Sequence, residues 1–232
     1  MTDVQVDDQF IRAWDANARI RISELKEHRD SAYTDLSSIL ISQLKNHTPP
    51  IHSVLDAGCG VGALTNLLHE TGFAAIGIDP SEASIHQARQ AWPESSFAVA
   101  RVEQMPTERI FDAVVANMVL HTTTSLDSFC QATSAVLADH GVFLATIPHP
   151  AFYLFAKEPS LNPEYSHEQR FLITFRINGS EAHPRKVPYV QRTIQMYTDA
   201  LYRAGFHEIR ITEPPQVGVG RPHDVLLLQG LL

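Results

Sequence analysis

Apolar residues recur along this chain with two different spacings, and the switch between them outlines its elements. Phe10, Ile11, Trp14 and Ala18 fall at helical spacing, as do Leu36, Ile39, Leu40 and Leu44, before Pro49-Pro50 stops the pattern. Residues 51–147 then alternate short apolar runs with helical stretches. Strands are predicted at 54–56, 74–78, 97–100, 111–116 and 142–147, and the unbroken Val114-Val115 run suits a strand buried on both faces. A helix over 61–71 buries Leu64, Leu67 and Leu68 and closes at Gly72. Another is capped by Ser81, carries Glu82 in its first turn and ends before Pro93. A third opens with a capping-box-like Thr124 and Asp127, carries Leu126, Phe129, Val136 and Leu137, and ends at Gly141. Such alternation predicts an α/β fold, a mostly parallel sheet with helices on both faces.

After Pro148 the rhythm breaks. Residues 149–188 are rich in aromatics and histidine, and Phe171, Ile173, Phe175 and Ile177 alternate toward Asn178-Gly179, a hairpin turn signal. This stretch reads as a cover over the sheet's ligand edge. Order then returns. Thr193 caps a helix through Ile194, Tyr197 and Leu201 that ends at Gly205, and strands at 206–212 and 225–231 flank a Pro/Gly-rich loop at 214–222. The chain thus reads as one domain over 1–232. It has a helical N-terminal segment (1–50), a core (51–148), a cover insertion (149–188) and a closing helix with two strands (189–232).

Composition narrows the function. A net charge of −8 over 232 residues supplies no general basic surface, which disfavours nucleic acid as a partner. The N-terminus is acidic, without a basic stretch followed by an apolar one, and no apolar run approaches a membrane span. A soluble, cytoplasmic protein with no membrane partner is expected. Two cysteines, Cys59 and Cys130, and scattered histidines with no His-x-x-x-His pair predict neither a disulfide framework nor a metal site.

Ligand chemistry concentrates in Ser53-Val54-Leu55-Asp56-Ala57-Gly58-Cys59-Gly60-Val61-Gly62-Ala63-Leu64. A strand ends in a carboxylate, spaced glycines follow, and a helix begins with its unpaired N–H groups aimed at the same place. Gly58-x-Gly60-x-x-Ala63 with Asp79 downstream also satisfies the looser dinucleotide fingerprint, so the glycines alone do not choose the ligand. Asp56 helps to choose. At the strand end it would repel a pyrophosphate and attract an ammonium and a sulfonium, the charges of S-adenosylmethionine. Asp79 can then accept both ribose hydroxyls with one carboxylate.

Leu55 to Gly62 resembles the first motif of the class I S-adenosylmethionine-dependent methyltransferases, and Ile76-Gly77-Ile78-Asp79-Pro80-Ser81 resembles their second-strand motif. Residues 111–121 are similar to the fourth-strand motif, and the stretch from Val136 to Pro148 to the fifth-strand region. The tail, Gln191-Arg192-Thr193-Ile194 with Ala204-Gly205-Phe206 and Glu213-Pro214, is similar to a broad branch (type 11-like) that methylates small molecules. The resemblance implies the Rossmann-like fold of that family with a late antiparallel strand. It implies that Asp56, Gly58, Cys59, Gly60 and Gly62 surround the methionine part of the cofactor, that Asp79 holds the ribose and that Pro80 touches the adenine. Ala116 and Asn117 line the methionine side. Arg101 and Val102 fall beside the adenine, where the family commonly has an acidic residue. Arg101 cannot accept a hydrogen bond, so a backbone group, Glu103 or water must read the adenine amino group.

Methyl transfer requires chiefly that a lone pair be held near the methyl group in a dry pocket, with a base only if the acceptor arrives protonated. His121 and His149 follow the fourth and fifth strands and are the candidate bases; the plainer reading makes each a pocket wall or packing residue. Trp14 is a candidate lid or a packing anchor. Phe152, Tyr153, Phe171 and Tyr189 are candidates for an apolar acceptor pocket or for the cover's own core. The expected activity is methylation of an oxygen or nitrogen of a small metabolite. Its rivals are an NAD(P)-dependent oxidoreductase, a tRNA or protein methyltransferase, and a non-enzymatic cofactor binder.

Overall fold

A computed structural model of the chain describes residues 3–107, 111–174, 186–214 and 224–232. The helices are α1 (Asp3–Asp15), α2 (Ala18–Lys26), α3 (Ser31–Lys45), α4 (Ala63–Glu70), α5 (Glu82–Ala91), α6 (Leu126–Val136), α7 (Tyr153–Lys157) and α8 (Ile194–Arg203). The strands are β1 (Ser53–Ala57), β2 (Ala74–Asp79), β3 (Ser96–Val99), β4 (Phe111–Asn117), β5 (Leu137–Pro148), β6 (Gln169–Thr174), β7 (Lys186–Gln191), β8 (Glu208–Thr212) and β9 (Val225–Leu231).

Seven strands form one sheet in the order β3-β2-β1-β4-β5-β9-β8. The pairs from β3 to β5 are parallel, and β9 runs antiparallel between β5 and β8. This is the expected α/β, Rossmann-like sheet with its late antiparallel strand. Strand alternation assigns its faces. Val54, Ala113, Val115 and Leu144 pack with Leu40 and Leu44 of α3 and Leu64 and Leu68 of α4. Leu55, Val114, Phe143 and Ala145 pack on the other side with Phe129 of α6 and Tyr197 and Leu201 of α8. A strand such as β4, with Ala113 to Ala116 fully buried, therefore serves two cores at once, which is why it reads as an unbroken apolar run.

Strand order reverses between β1 and β4, and the carboxyl ends of β1, β2 and β4 leave a crevice there. Helices α1 and α2 and the first turn of α3 close it from one side. From the other comes the cover, whose described part is α7 and the separate β6–β7 ribbon, where Phe171 faces Tyr189 across the pair.

Several local expectations are corrected. The N-terminal segment holds three helices rather than two patterns, and Ala18 begins α2 instead of continuing α1. Ser125, not Thr124, is the residue before α6, without a side-chain cap, and α6 ends at Val136 rather than at Gly141 because β5 already begins at Leu137. A register shift between Phe111 and Ala113 accommodates that early start. The caps at Ser81 and Thr193 form as expected, accepting from Ser84 N and Met196 N. The Asn178-Gly179 turn, Phe175, Ile177 and most of the loop at 214–222 lie outside the described residues.

Candidate functional site

The crevice is a cavity of about 780 Å³, and its floor is the glycine turn. Gly60 has a φ of +54°, and a β-carbon there would have nothing within 4 Å, so its peptide is bare toward the cavity. Gly62 differs. At a φ of +81° its β-carbon would lie 2.5 Å from the Phe97 ring, so this glycine lets α4 start against β3 instead of lining the cavity. Asp79 ties the turn to the next loop, accepting from Gly60 N at 2.9 Å and Ser81 N at 2.8 Å. One lone pair on each oxygen is still available for a ligand.

Two carboxylates therefore meet at the floor, Asp56 from the end of β1 and Asp79 from the end of β2. Asp56 is 1% exposed, and its hydrogen-bond donor is Thr65 Oγ1 at 2.7 Å. Burial pushes Asp56 up to about 7 and Asp79 up to about 6; hydrogen bonds pull both back, while the Asp79 charge adds to the rise of Asp56 and the Asp15 charge to that of Asp79. A cationic ligand nearby would favour the ionised form of each, the proton leaving to solvent. Burial likewise raises the neighbouring Cys59 thiol, which stays protonated.

Above β4 the chain turns sharply. Met118 takes a φ of +60°, held by its N–H on Thr146 O and Oγ1, each at 3.0 Å. Asn117 Oδ1 accepts from Thr146 Oγ1 at 2.6 Å, while Asn117 Nδ2 is buried without a hydrogen-bond partner. His121 follows, 9% exposed, with Nδ1 also buried and unpartnered. Burial, then the Arg192 guanidinium, hold its ring down at about 3. His121 is therefore a neutral hydrogen-bond partner at neutral pH and cannot store a proton there.

Asp56, Gly58, Cys59, Gly60, Asp79, Pro80, Arg101, Val102 and Asn117 all line the cavity, as do His121, Trp14 and Tyr153. Exposed Glu103 lines it too. Six expected site residues do not reach it, among them Phe171, which packs in the cover's own cluster with Ile173 and Tyr189. Ala116 is fully buried in the core beneath α6, and Gly62 packs on Phe97. Tyr189 stands one layer behind, stacked on Tyr153 at 5.9 Å between ring centres. His149 and Phe152 stack on each other at 4.4 Å away from the cavity; Phe152 is 52% exposed and His149 Nε2 lies 3.6 Å from Glu213. The residue after β5 points away because His149 N is held by Asp224 O at 2.8 Å and its Nδ1 accepts from Ala151 N.

The N-terminal helices bring residues that the motifs did not announce. Tyr33 Oη accepts from Leu64 N at 3.1 Å, at the start of α4, and the Arg21 guanidinium lies 5.1 Å above the Tyr33 ring. Asp15 accepts from Ser81 Oγ at 2.5 Å and so fastens α1 to the loop after Asp79. Such contacts join residues 31 to 66 positions apart, and the only sequence signal for them is the presence of polar residues on an amphipathic helix.

Parts of the chain are similar to known proteins. Residues 55–145 match the family model described as "Methyltransferase domain". The mitochondrial ubiquinone biosynthesis O-methyltransferase of Homo sapiens is 34% identical over 122 residues, which is 47% of this chain and 33% of that protein. A trans-aconitate 2-methyltransferase of Escherichia coli is 35% identical over 100 residues, 42% of this chain and 40% of that protein. The match spans two-fifths or less of the length of these two relatives. Among solved structures, an S-adenosylmethionine-dependent methyltransferase from Clostridium acetobutylicum superposes with a TM-score of 0.67 at 14% identity, covering 94% of this chain and 98% of that one.

Proposed function

We propose, from the match of residues 55–145 to a methyltransferase domain, that this chain is a class I S-adenosylmethionine-dependent methyltransferase that transfers a methyl group to an oxygen or nitrogen of a small, partly apolar metabolite. One observation carries the reading. Asp56 and Asp79, two carboxylates raised by burial, open onto the same cavity beside the bare peptide of Gly60. A cationic nucleoside without phosphate satisfies that set, whereas a pyrophosphate would sit against two carboxylates.

Asp79 offers a lone pair on each oxygen to the two ribose hydroxyls, Asp56 provides the charge opposite an ammonium, and Asn117 Nδ2 offers a donor on the methionine side. S-adenosylmethionine, when bound, supplies an electrophilic methyl carbon on a sulfonium. The acceptor's lone pair forms the new bond to that carbon while the carbon–sulfur bond breaks and its electron pair goes to sulfur. The chain's part is to orient and to exclude water: α1 and α2 on one side and Tyr153 with β6–β7 on the other wall the cavity off. His121 acts as a hydrogen-bond partner of the acceptor rather than as its base.

The buried free thiols of Cys59 and Cys130 suit a reducing, cytoplasmic setting. Among the described residues no helix is long and apolar enough to cross a membrane. Isothermal titration tests the cofactor assignment. Micromolar or tighter binding of S-adenosylhomocysteine, with no heat from a nicotinamide dinucleotide, is the expected result. The reverse would replace methyl transfer with hydride transfer.

A further inference from the structure

We propose that Arg192 is a positioning residue for methyl transfer, one that sets the turn after β4, and through it His121, between the cofactor and the acceptor. This deepens the methyl-transfer reading and rests on it.

Gln191-Arg192-Thr193 lies where β7 ends and α8 begins, and its three side chains reach three different elements. Gln191 Nε2 donates to Pro150 O, just after β5, at 2.6 Å, and Thr193 Oγ1 caps α8 by accepting from Met196 N at 3.2 Å. Arg192 reaches the turn after β4. Its Nη1 donates to Leu120 O at 2.9 Å and its Nη2 to Thr123 O at 2.8 Å, while Nε donates to Glu168 Oε2 at 2.8 Å. From β7 itself, Val190 N donates to His121 O at 2.7 Å. His121 therefore sits between two carbonyls gripped by one guanidinium.

That grip asks more than packing does. Arg192 is 2% exposed, and a guanidinium so buried is costly unless its donors are used. An apolar side chain would fill the space without that cost. It could not hold two separate carbonyls in register, and neither could the single ammonium of a lysine, whereas the planar fork of arginine can.

The turn it holds is a wall of the cavity. Asn117, Met118, Val119, His121, Thr122 and Thr123 all line it. The first half is fixed by Met118 N on Thr146 and by Thr122 N on Val119 O at 2.7 Å; the second half is fixed from outside, by Arg192 and Val190. The wall leads from Asn117 on the methionine side to His121 at the acceptor end, away from the glycine turn. Its shift would misplace the acceptor without touching Asp56 or Asp79. His121 depends on that backbone for its direction, because its buried Nδ1 has no hydrogen-bond partner to orient the ring.

The test uses the full chain and two cofactor analogues, S-adenosylhomocysteine and sinefungin. Sinefungin carries an amine-bearing carbon in place of the methylated sulfonium, so the ratio of the two affinities reads the place of transfer. S-adenosylhomocysteine is titrated first by calorimetry. If it does not bind, the methyl-transfer reading falls and this proposal with it. Arg192→Lys should weaken sinefungin about tenfold and leave S-adenosylhomocysteine within about threefold, which also reports that the variant is folded. An arginine that only stabilised the fold would leave the ratio unmoved. Glu168→Gln loosens the cover but spares both carbonyl contacts, and should move the ratio by less than about twofold. His121→Ala should move it about as far as Arg192→Lys, and the double variant should go no further than either, because one residue acts through the other. His121→Ala leaves Arg192 intact, so it tests the same place even if Arg192→Lys does not fold. Sinefungin that does not bind the parent protein, a ratio unmoved by Arg192→Lys or His121→Ala, a Glu168→Gln effect as large as that of Arg192→Lys, or additive losses in the double variant overturns the proposal while leaving methyl transfer standing.

Discussion

The two ends of the cavity are built in opposite ways. At the cofactor end, Asp56, Gly60, Asp79 and Ser81 come from two adjacent parallel strands and the turns that follow them, with Asp79 donating no contact of its own but accepting from both turns. At the proposed acceptor end, Trp14, Asp30, His121, Tyr153, Glu158 and Asp224 come from the N-terminal helices, the turn after β4, the cover and the start of β9. The first end is the geometry of a strand–turn–helix unit. The second exists only when distant segments dock. One should therefore be robust to changes that dismantle the other.

The largest effect is expected at the residue that docks the cover. Arg192 is 2% exposed and donates to Leu120 O at 2.9 Å, Thr123 O at 2.8 Å and Glu168 Oε2 at 2.8 Å. It thereby ties β7 and Glu168 to the turn that carries His121, whose N–H-bearing neighbour strand is held by Val190 N on His121 O at 2.7 Å. Arg192→Met strands buried carbonyls and the Glu168 carboxylate, and should cost about 3–5 kcal/mol in urea unfolding. S-adenosylhomocysteine affinity of the folded variant should stay within about threefold, because no cofactor-end contact is touched. A loss of affinity as large as the loss of stability would show that the two ends are one cooperative unit.

Asp79→Ala attacks the other end. It removes the proposed ribose acceptor and releases Gly60 N and Ser81 N together, so S-adenosylhomocysteine should bind about a hundredfold more weakly, roughly 2.7 kcal/mol. Calorimetry checks this directly, and unchanged affinity would mean that the ribose is held elsewhere. Stability should fall by only about 1 kcal/mol, since both freed amides border the cavity and can bind water.

The same division explains what the sequence disclosed. The parallel strands, the glycine turn and the Asp79 loop were legible because each is encoded within a few residues, by apolar runs, spaced glycines and a carboxylate at a strand end. The Gly62 reading failed on role rather than on placement: a glycine's spacing does not tell whether its missing side chain makes room for a ligand or for Phe97. The reading of α6 failed at both ends. Thr124 competes with Ser125 for the cap, and strand pairing of Leu137 with Phe111 overrode the helical pattern that reaches Gly141. Trp14, Tyr153 and His121, picked out by type and position, do line the cavity, yet His149 and Phe152 have the same chemistry and face away. Their direction is set by Asp224 O on His149 N, a contact between residues 75 positions apart in the chain, and no local pattern carries it.

A smaller effect is expected from pH, and it too separates the ends. Burial raises Asp56 from an ordinary 3.8 to about 7 and Asp79 to about 6. Between about pH 4 and 7 the folded, ligand-free protein thus holds more protons than the unfolded chain, and its stability falls as pH rises through that window. A cationic ligand favours the ionised carboxylates and drives those protons off. Affinity for S-adenosylmethionine should therefore be full at pH 8 and fall about tenfold between pH 7 and 5.5, with Asp56→Asn flattening the profile. His121, held down at about 3, adds no step to that range. A profile that Asp56→Asn leaves unchanged would assign the titration to another group.

The smallest effect is expected at His149, the residue whose position after β5 made it a candidate base. Its ring stacks on exposed Phe152, lies 3.6 Å from Glu213 and accepts from Ala151 N, all outside the cavity. His149→Ala removes a stacked pair and a local hydrogen bond, which should cost about 1–2 kcal/mol of stability. Turnover of any acceptor, and the affinity for S-adenosylhomocysteine, should change by less than about threefold, since the backbone N–H that holds Asp224 O survives the substitution. His121→Ala is the matched control, because it removes the one histidine that faces the acceptor end among the described lining residues. Should His149→Ala slow turnover more than His121→Ala at equal cofactor affinity, the proton path would run behind β5, and the acceptor end would have to be redrawn around Glu213.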